Sequence, residues 1–152
     1  AEDYRAVQLE SLASQRARLH PMVDSIPVSG LANIDNPGQR SFAEHVYHAG
    51  TANAGAIDRF FPGPAFTPPD SARSLADKDG LRTAIDTSFD YLRTILEGQS
   101  EEERLATFQL AGRSIPVWRF WDELNEHTYW TLGEIVGNFR SLGMAPPNFR
   151  FF

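Results

Sequence analysis

Four long stretches of helical hydrophobic periodicity, each ended by a proline- or glycine-rich break, constrain this chain more than any other feature. Apolar side chains recurring every three or four residues put one stripe on one face of a helix, and that stripe must be buried. The first stretch runs from Tyr4 to about Ile26, with Leu9, Leu12, Leu19, Val23 and Ile26 on its stripe. Pro21 lies inside it and is expected to kink or split the helix, because it removes a backbone donor and crowds the preceding turn. Residues 27–39 hold Pro27, Gly30, Asn33, Pro37 and Gly38 and read as a loop. A second helix is expected from Ser41 to about Phe60. It opens on Ser41-Phe42-Ala43-Glu44, whose hydroxyl and carboxylate can each satisfy an orphan amide of the first turn. Its middle is rich in small residues, which let another helix approach or leave room for a pocket. Pro62, Pro64, Pro68 and Pro69 then forbid continuation.

The third helix is expected from near Asp77 to Glu97, with Leu81, Ile85, Phe89, Leu92 and Leu96 on its stripe and Gly98 as its stop. Ser100 to Glu103 repeats the capping pattern over a short helical turn, and Thr107–Leu110 reads as a brief extended piece leading to Gly112. The fourth helix is expected to open at Ser114-Ile115-Pro116 and to run to Leu142, where Gly143 ends it. Its core positions are Trp121, Leu124, Leu132, Ile135, Phe139 and Leu142. A non-helical tail with Phe149, Phe151 and Phe152 follows and is expected to pack on the bundle or on a partner. Four amphipathic helices without a strand series predict an all-α, antiparallel four-helix bundle in one domain spanning 1–152, with long loops that allow an order other than simple up-and-down.

Composition removes several function classes. A net charge of −6 gives no basic footprint for nucleic acid. No stretch approaches the roughly 20 apolar residues that a membrane helix needs. The absence of cysteine excludes disulfides, thiolate metal sites and a cysteine nucleophile. Ala1-Glu2-Asp3 resembles neither an initiator start nor a signal peptide, so both a cytoplasmic protein and an exported, periplasmic one with its leader removed are compatible with it.

Chemistry is then sought among the histidines, His20, His45, His48 and His127. His20, beside Pro21, is expected to be exposed. His48 shares a helix face with Glu44 and Ala52, and His45 sits close to that side. His127 shares a face with Glu123 and Thr131, with Glu134 a turn further on. Two inward histidines from different helices are a starting set for a divalent metal, although a histidine on a half-buried face is most often a hydrogen-bonded core residue. No serine–histidine–aspartate spacing and no glycine-rich phosphate loop is present. The dense aromatics Trp118, Phe120, Trp121, Tyr129 and Trp130 are read first as core, then as pocket lining or a dimer face.

Two segments resemble the DinB-like (damage-inducible, YfiT-related) bundle proteins: Arg40-Ser41-Phe42-Ala43-Glu44-His45-Val46-Tyr47-His48, and His127 followed by Gly133, Arg140, Gly143 and Pro146-Pro147. The resemblance implies a four-helix bundle with an unusual helix order, frequently a homodimer, with a three-histidine site for nickel or zinc. It includes thiol-dependent transferases. Carried over by position, His48 and His127 match two of the metal ligands. The third position falls on Thr131, a poor ligand for either ion. Three outcomes follow: His45, Glu44 or Glu123 substitutes; water fills the gap; or the site holds no metal. Two functions are compatible with these residues. One is a metal-dependent transferase or hydrolase, in which a metal on His48 and His127 activates water or a thiol while Glu44 or Glu123 moves protons. The other is a non-catalytic bundle that binds a small ligand or dimerises.

Overall fold

A computed structural model describes residues 4–34 and 36–147. The aromatic tail at Phe149, Phe151 and Phe152 lies outside them. Four long helices form a bundle: α1 (Tyr4–Ser25), α2 (Phe42–Phe60), α4 (Lys78–Gly98) and α6 (Val117–Ser141). Two short helices, α3 (Ser71–Ala76) and α5 (Glu101–Leu105), and a hairpin of β1 (Thr107–Leu110) and β2 (Arg113–Pro116) occupy the connections.

The order of helices follows from which side chains meet. Arg16 and His20 of α1 bond Asp86 of α4, while Arg82 reaches back to Asp24, so those two helices run antiparallel. The contacts His45–Asn138, His48–His127 and Asn53–Leu124 make α2 and α6 antiparallel too. Gln8–Trp118 and Gln15–Asn125 place α1 parallel to α6. Gly50 against Ser88, and Asp58 with Tyr91, place α2 parallel to α4. The bundle thus runs up, down, down, up. Both α1 and α2 pack against α4 and α6. The long connections serve this order, since residues 61–77 must climb the length of the bundle to start α4 beside the end of α1.

Local chemistry explains the helix ends. The Ser41 box forms: its amide donates to Glu44 Oε2 at 2.6 Å, and its hydroxyl accepts from the Glu44 amide at 3.3 Å. The Ser100–Glu103 box forms likewise. Asp77 caps α4 as its position suggests. At the end of α6, Gly143 takes a positive φ of 69°, and the amides of Gly143 and Met144 return to the carbonyls of Arg140 and Phe139. That paired return defines a Schellman end, which favours glycine.

Three expectations are corrected. Pro21 does not split α1, which continues to Ser25. The ring is exposed, and the carbonyl it deprives of a donor belongs to exposed Ala17, where water can serve it. Ser114 does not open the last helix. It lies in β2, paired with Gln109, and α6 begins at Val117. The hairpin forms because Ala111 and Gly112 both adopt positive φ, 49° and 78°, which suits a tight two-residue turn. His20 is half-buried rather than exposed and sits 2.8 Å from Asp86. Burial alone would raise the Asp86 carboxyl, but hydrogen bonds from His20 and Arg16 outweigh it and hold the carboxyl below its usual range. The segment preceding α4 also adds α3, capped by Asp70, which was not expected.

The apolar stripes on α4 and α6 are buried as read, except that Leu142 lies just past the end of α6 and is half-buried. Leu81, Ile85, Leu92 and Leu96 on α4 are essentially inaccessible, as are Trp121, Leu132, Ile135 and Phe139 on α6. Phe42 and Phe139 meet edge to face at 5.7 Å and close the top of the α2–α6 interface. On α1, buried Gln8 and Gln15 join the apolar stripe and point their amides at α6. No helix among the described residues is long and apolar enough to cross a membrane.

Candidate functional site

The site is built by the face of α2 that meets α6, and by the loop just before α2. Its centre is a direct contact between two imidazoles: His48 Nε2 lies 3.1 Å from His127 Nε2, with the rings inclined at 79°. Both rings are half-buried. A hydrogen-bond network assigns their protons. Asn53 is buried, and its amide nitrogen donates to the Leu124 carbonyl (2.9 Å) and to Thr128 Oγ1 (2.8 Å). That leaves Asn53 Oδ1 as an acceptor, 2.8 Å from His127 Nδ1. The proton of neutral His127 therefore sits on Nδ1, and its Nε2 presents a bare lone pair to His48. His48 in turn must offer an Nε2–H for the 3.1 Å contact to be a hydrogen bond.

The electrostatics keep both rings neutral. Burial pushes the His48 pKa down to about 4, aided by the positive charge of Arg40 and by the neighbouring His127 and His45. Burial and then Arg40 lower His127 in the same way. At neutral pH the pair is two uncharged bases.

A cavity of about 340 Å³ opens beside the pair. Thr131, His45, Trp130, Glu134 and the loop residues Gly38, Gln39 and Arg40 line the rest of it. His45 is buried, its Nδ1 3.0 Å from Asn138 Oδ1, while the Asn138 amide nitrogen donates to the Asn33 carbonyl. Thr131 is buried, and its hydroxyl donates to the His127 carbonyl at 3.0 Å. The structure therefore brings His48, His127, Thr131 and His45 together. It sets Glu44 and Glu123 elsewhere: neither lines this cavity. The Glu44 carboxylate is engaged in the cap of α2, and hydrogen bonds from Ser41 lower its pKa. Glu123 faces Arg113 and Arg119 at 3.8 Å.

A family description supplies the context for this geometry: the model of the DinB superfamily matches residues 11–136. The chain belongs to the DinB superfamily. Two solved DinB-like proteins share its fold. One, from Bacillus cereus, is 19% identical, with 94% of this chain and 95% of that one covered at a TM-score of 0.65. The other, YjoA from Bacillus subtilis, is 16% identical, with 93% and 96% covered at a TM-score of 0.69. No curated protein matches. At these identities the likeness concerns the fold alone.

The resemblance to DinB-like proteins implies a metal, and the residues present meet that demand in part. Two nitrogens bound to one zinc-like ion at about 2.0–2.1 Å lie roughly 3–3.4 Å apart, and the His48–His127 separation falls in that range. The Asn53 contact also orients His127 as an outer partner orients a metal ligand. The third donor is missing. Thr131 offers only a neutral hydroxyl, and the described residues gather no group of three His, Cys, Asp or Glu suited to an ion. The three-ligand site of the resemblance does not fit this chain.

Asn53, Asn138, Thr128 and Arg40 were not singled out from the sequence as site residues. A signal was present for three of them: Asn53 falls on the turn-by-turn series His45, Ala49, Asn53, and Thr128 and Asn138 fall within Leu124, Thr128, Thr131, Ile135, Asn138. Polar residues at buried stripe positions announce a partner across the interface. Nothing in the pattern marks Arg40, whose role depends on how the loop folds over the cavity.

Proposed function

We propose that this DinB-superfamily bundle is a small-ligand-binding protein whose pocket works without a resident metal. One observation carries the reading: the two histidines complete each other's hydrogen bonding at 3.1 Å, and a threonine stands at the position of the third donor. A neutral, internally satisfied pair needs no cation to hold it, and the adjoining cavity has the size of a small-molecule site. The 3.1 Å spacing favours a second reading, a labile nickel or zinc site with water in the vacant positions, serving a transferase or hydrolase. The missing third donor ranks it below the first.

Elemental analysis of protein purified without a histidine tag separates the two. The first reading expects far less than one equivalent of nickel or zinc, and ligand binding that persists in chelator. One equivalent of metal that disappears in His48→Ala would overturn it and establish the second.

A further inference from the structure

Two charges of opposite sign line the same cavity, and neither has a hydrogen bond or ion pair among the described residues. Arg40 lies on the loop side and Glu134 on the α6 side. They do not pair with each other, although other acids and bases of the chain do where they come close, as Arg16 does with Asp86 and Arg119 with Glu126. The facing nitrogens of the histidine pair are engaged with each other and leave the ligand's charges to Arg40 and Glu134. Any charge on a ligand is therefore answered by Arg40 or Glu134. A simple anion would satisfy Arg40 but face the Glu134 carboxylate. A simple cation would satisfy Glu134 but face the guanidinium. A molecule with both charges satisfies both sides, and charge-assisted hydrogen bonds of this kind are the stronger ones. Trp130, 76% exposed at the cavity, offers a ring for an apolar side chain to cover.

From this arrangement we infer that the pocket takes a zwitterionic small molecule of the amino-acid class, its carboxylate toward Arg40 and its ammonium toward Glu134. The inference rests on the reading of the cavity as a metal-independent ligand site. It goes beyond that reading by naming the ligand's chemistry. The guanidinium supplies a planar fork matched to a carboxylate, and the ligand's side chain lies along Trp130.

The test titrates the whole chain, treated with chelator at pH 7, with three probes of one shape: L-phenylalanine, 3-phenylpropionate and 2-phenylethylamine. Calorimetry measures affinity, and the part of the tryptophan fluorescence change that Trp130→Phe removes reports contact with Trp130. Phenylalanine is expected to bind at least about tenfold more tightly than either singly charged probe, since each lost charged contact is worth about that factor. Arg40→Gln should erase its advantage over phenylethylamine, and Glu134→Gln its advantage over phenylpropionate, with both variants folded by circular dichroism. Equal affinity for phenylalanine and phenylpropionate, unchanged preferences in the variants, or no binding of any probe with or without zinc would each overturn the proposal. The titration is repeated with one equivalent of zinc. Binding that appears only then overturns the metal-independent reading, while the order of the three probes still decides the ligand class. Metal-free binding with no preference leaves that reading in place and sinks the zwitterion.

Discussion

Helix α2 presents two faces that solve opposite problems. Toward α4 it is built for closeness: a side chain on Gly50 would meet Ser88 Cβ at 2.8 Å and the Phe89 ring at 3.5 Å, so the helices touch almost backbone to backbone. Toward α6 it is built for polarity, with His45, His48 and Asn53 each bonded to a partner on the facing helix. The first face buys stability from packing and has nothing for a ligand to hold. The second spends packing on hydrogen bonds and leaves a cavity at one end. A polar interface of this kind is secure only when every member is satisfied. Of the small residues of α2, Gly50 serves the close approach, and the polar residues on the other face make the pocket.

The largest expected effect is on the polar face. Thr131→His should restore a third imidazole beside the pair and raise affinity for nickel or zinc by at least about a hundredfold in calorimetric titration, because a closed set of three nitrogens is the ordinary requirement for a tight site. No gain would show that α2 and α6 do not present these positions to one point. Next comes Asn53→Ala. It strips the partner from His127 Nδ1 and empties two further bonds in a buried position, at a cost of about 2–3 kcal/mol in denaturant unfolding. A loss below about 0.5 kcal/mol would mean that the network is not what holds His127.

The dry face is tested by a pair of glycines. Gly50→Ala should cost about 1–2 kcal/mol, the overpacking against Ser88 exceeding the gain in helix propensity. Gly55→Ala, whose added methyl meets nothing within 4 Å, should gain up to about 1 kcal/mol. Equal effects would erase the distinction between a contact glycine and a free one.

The smallest effect is on pH dependence. Both site histidines have folded pKa values below the unfolded value of about 6.5, with His48 near 4. Between those limits the unfolded chain takes up protons that the folded pocket refuses, so stability is full above pH 6.5 and declines as pH falls toward 4. Half-exposure of the rings screens the effect and keeps it modest. In chelator, the drop in melting temperature from pH 7 to pH 5 should be smaller in His48→Gln than in the unaltered protein. An identical drop would show that His48 titrates normally.

The sequence made the scaffold readable for a definite reason. Stripes such as Leu81, Ile85, Phe89, Leu92 and Leu96 encode burial in their own spacing, and the caps at Ser41, Asp77 and Ser100 encode helix starts within four residues. The hairpin was half legible. Gly112 marked the turn, but the pairing of Phe108 with Ile115 is a tertiary choice that overrode the helix-start pattern at Ser114. The histidine pair and its threonine neighbour were legible by position through the DinB resemblance. The facing of Nε2 to Nε2, the tautomer set by Asn53 and the reach of Arg40 over the cavity were not. These depend on side-chain directions from two helices and a loop, and one-dimensional spacing does not carry that information.

The facing nitrogens of the site belong to residues 79 positions apart in the chain. No local segment can bring them together, so the pocket is a property of the completed bundle and has no counterpart in the unfolded chain. Whatever binds there is thereby a folding ligand as well, adding about 2.7 kcal/mol to global stability when present at a hundred times its dissociation constant. A melting curve of the unaltered protein, read against a panel of candidate molecules, is in this sense an assay for its own unknown ligand.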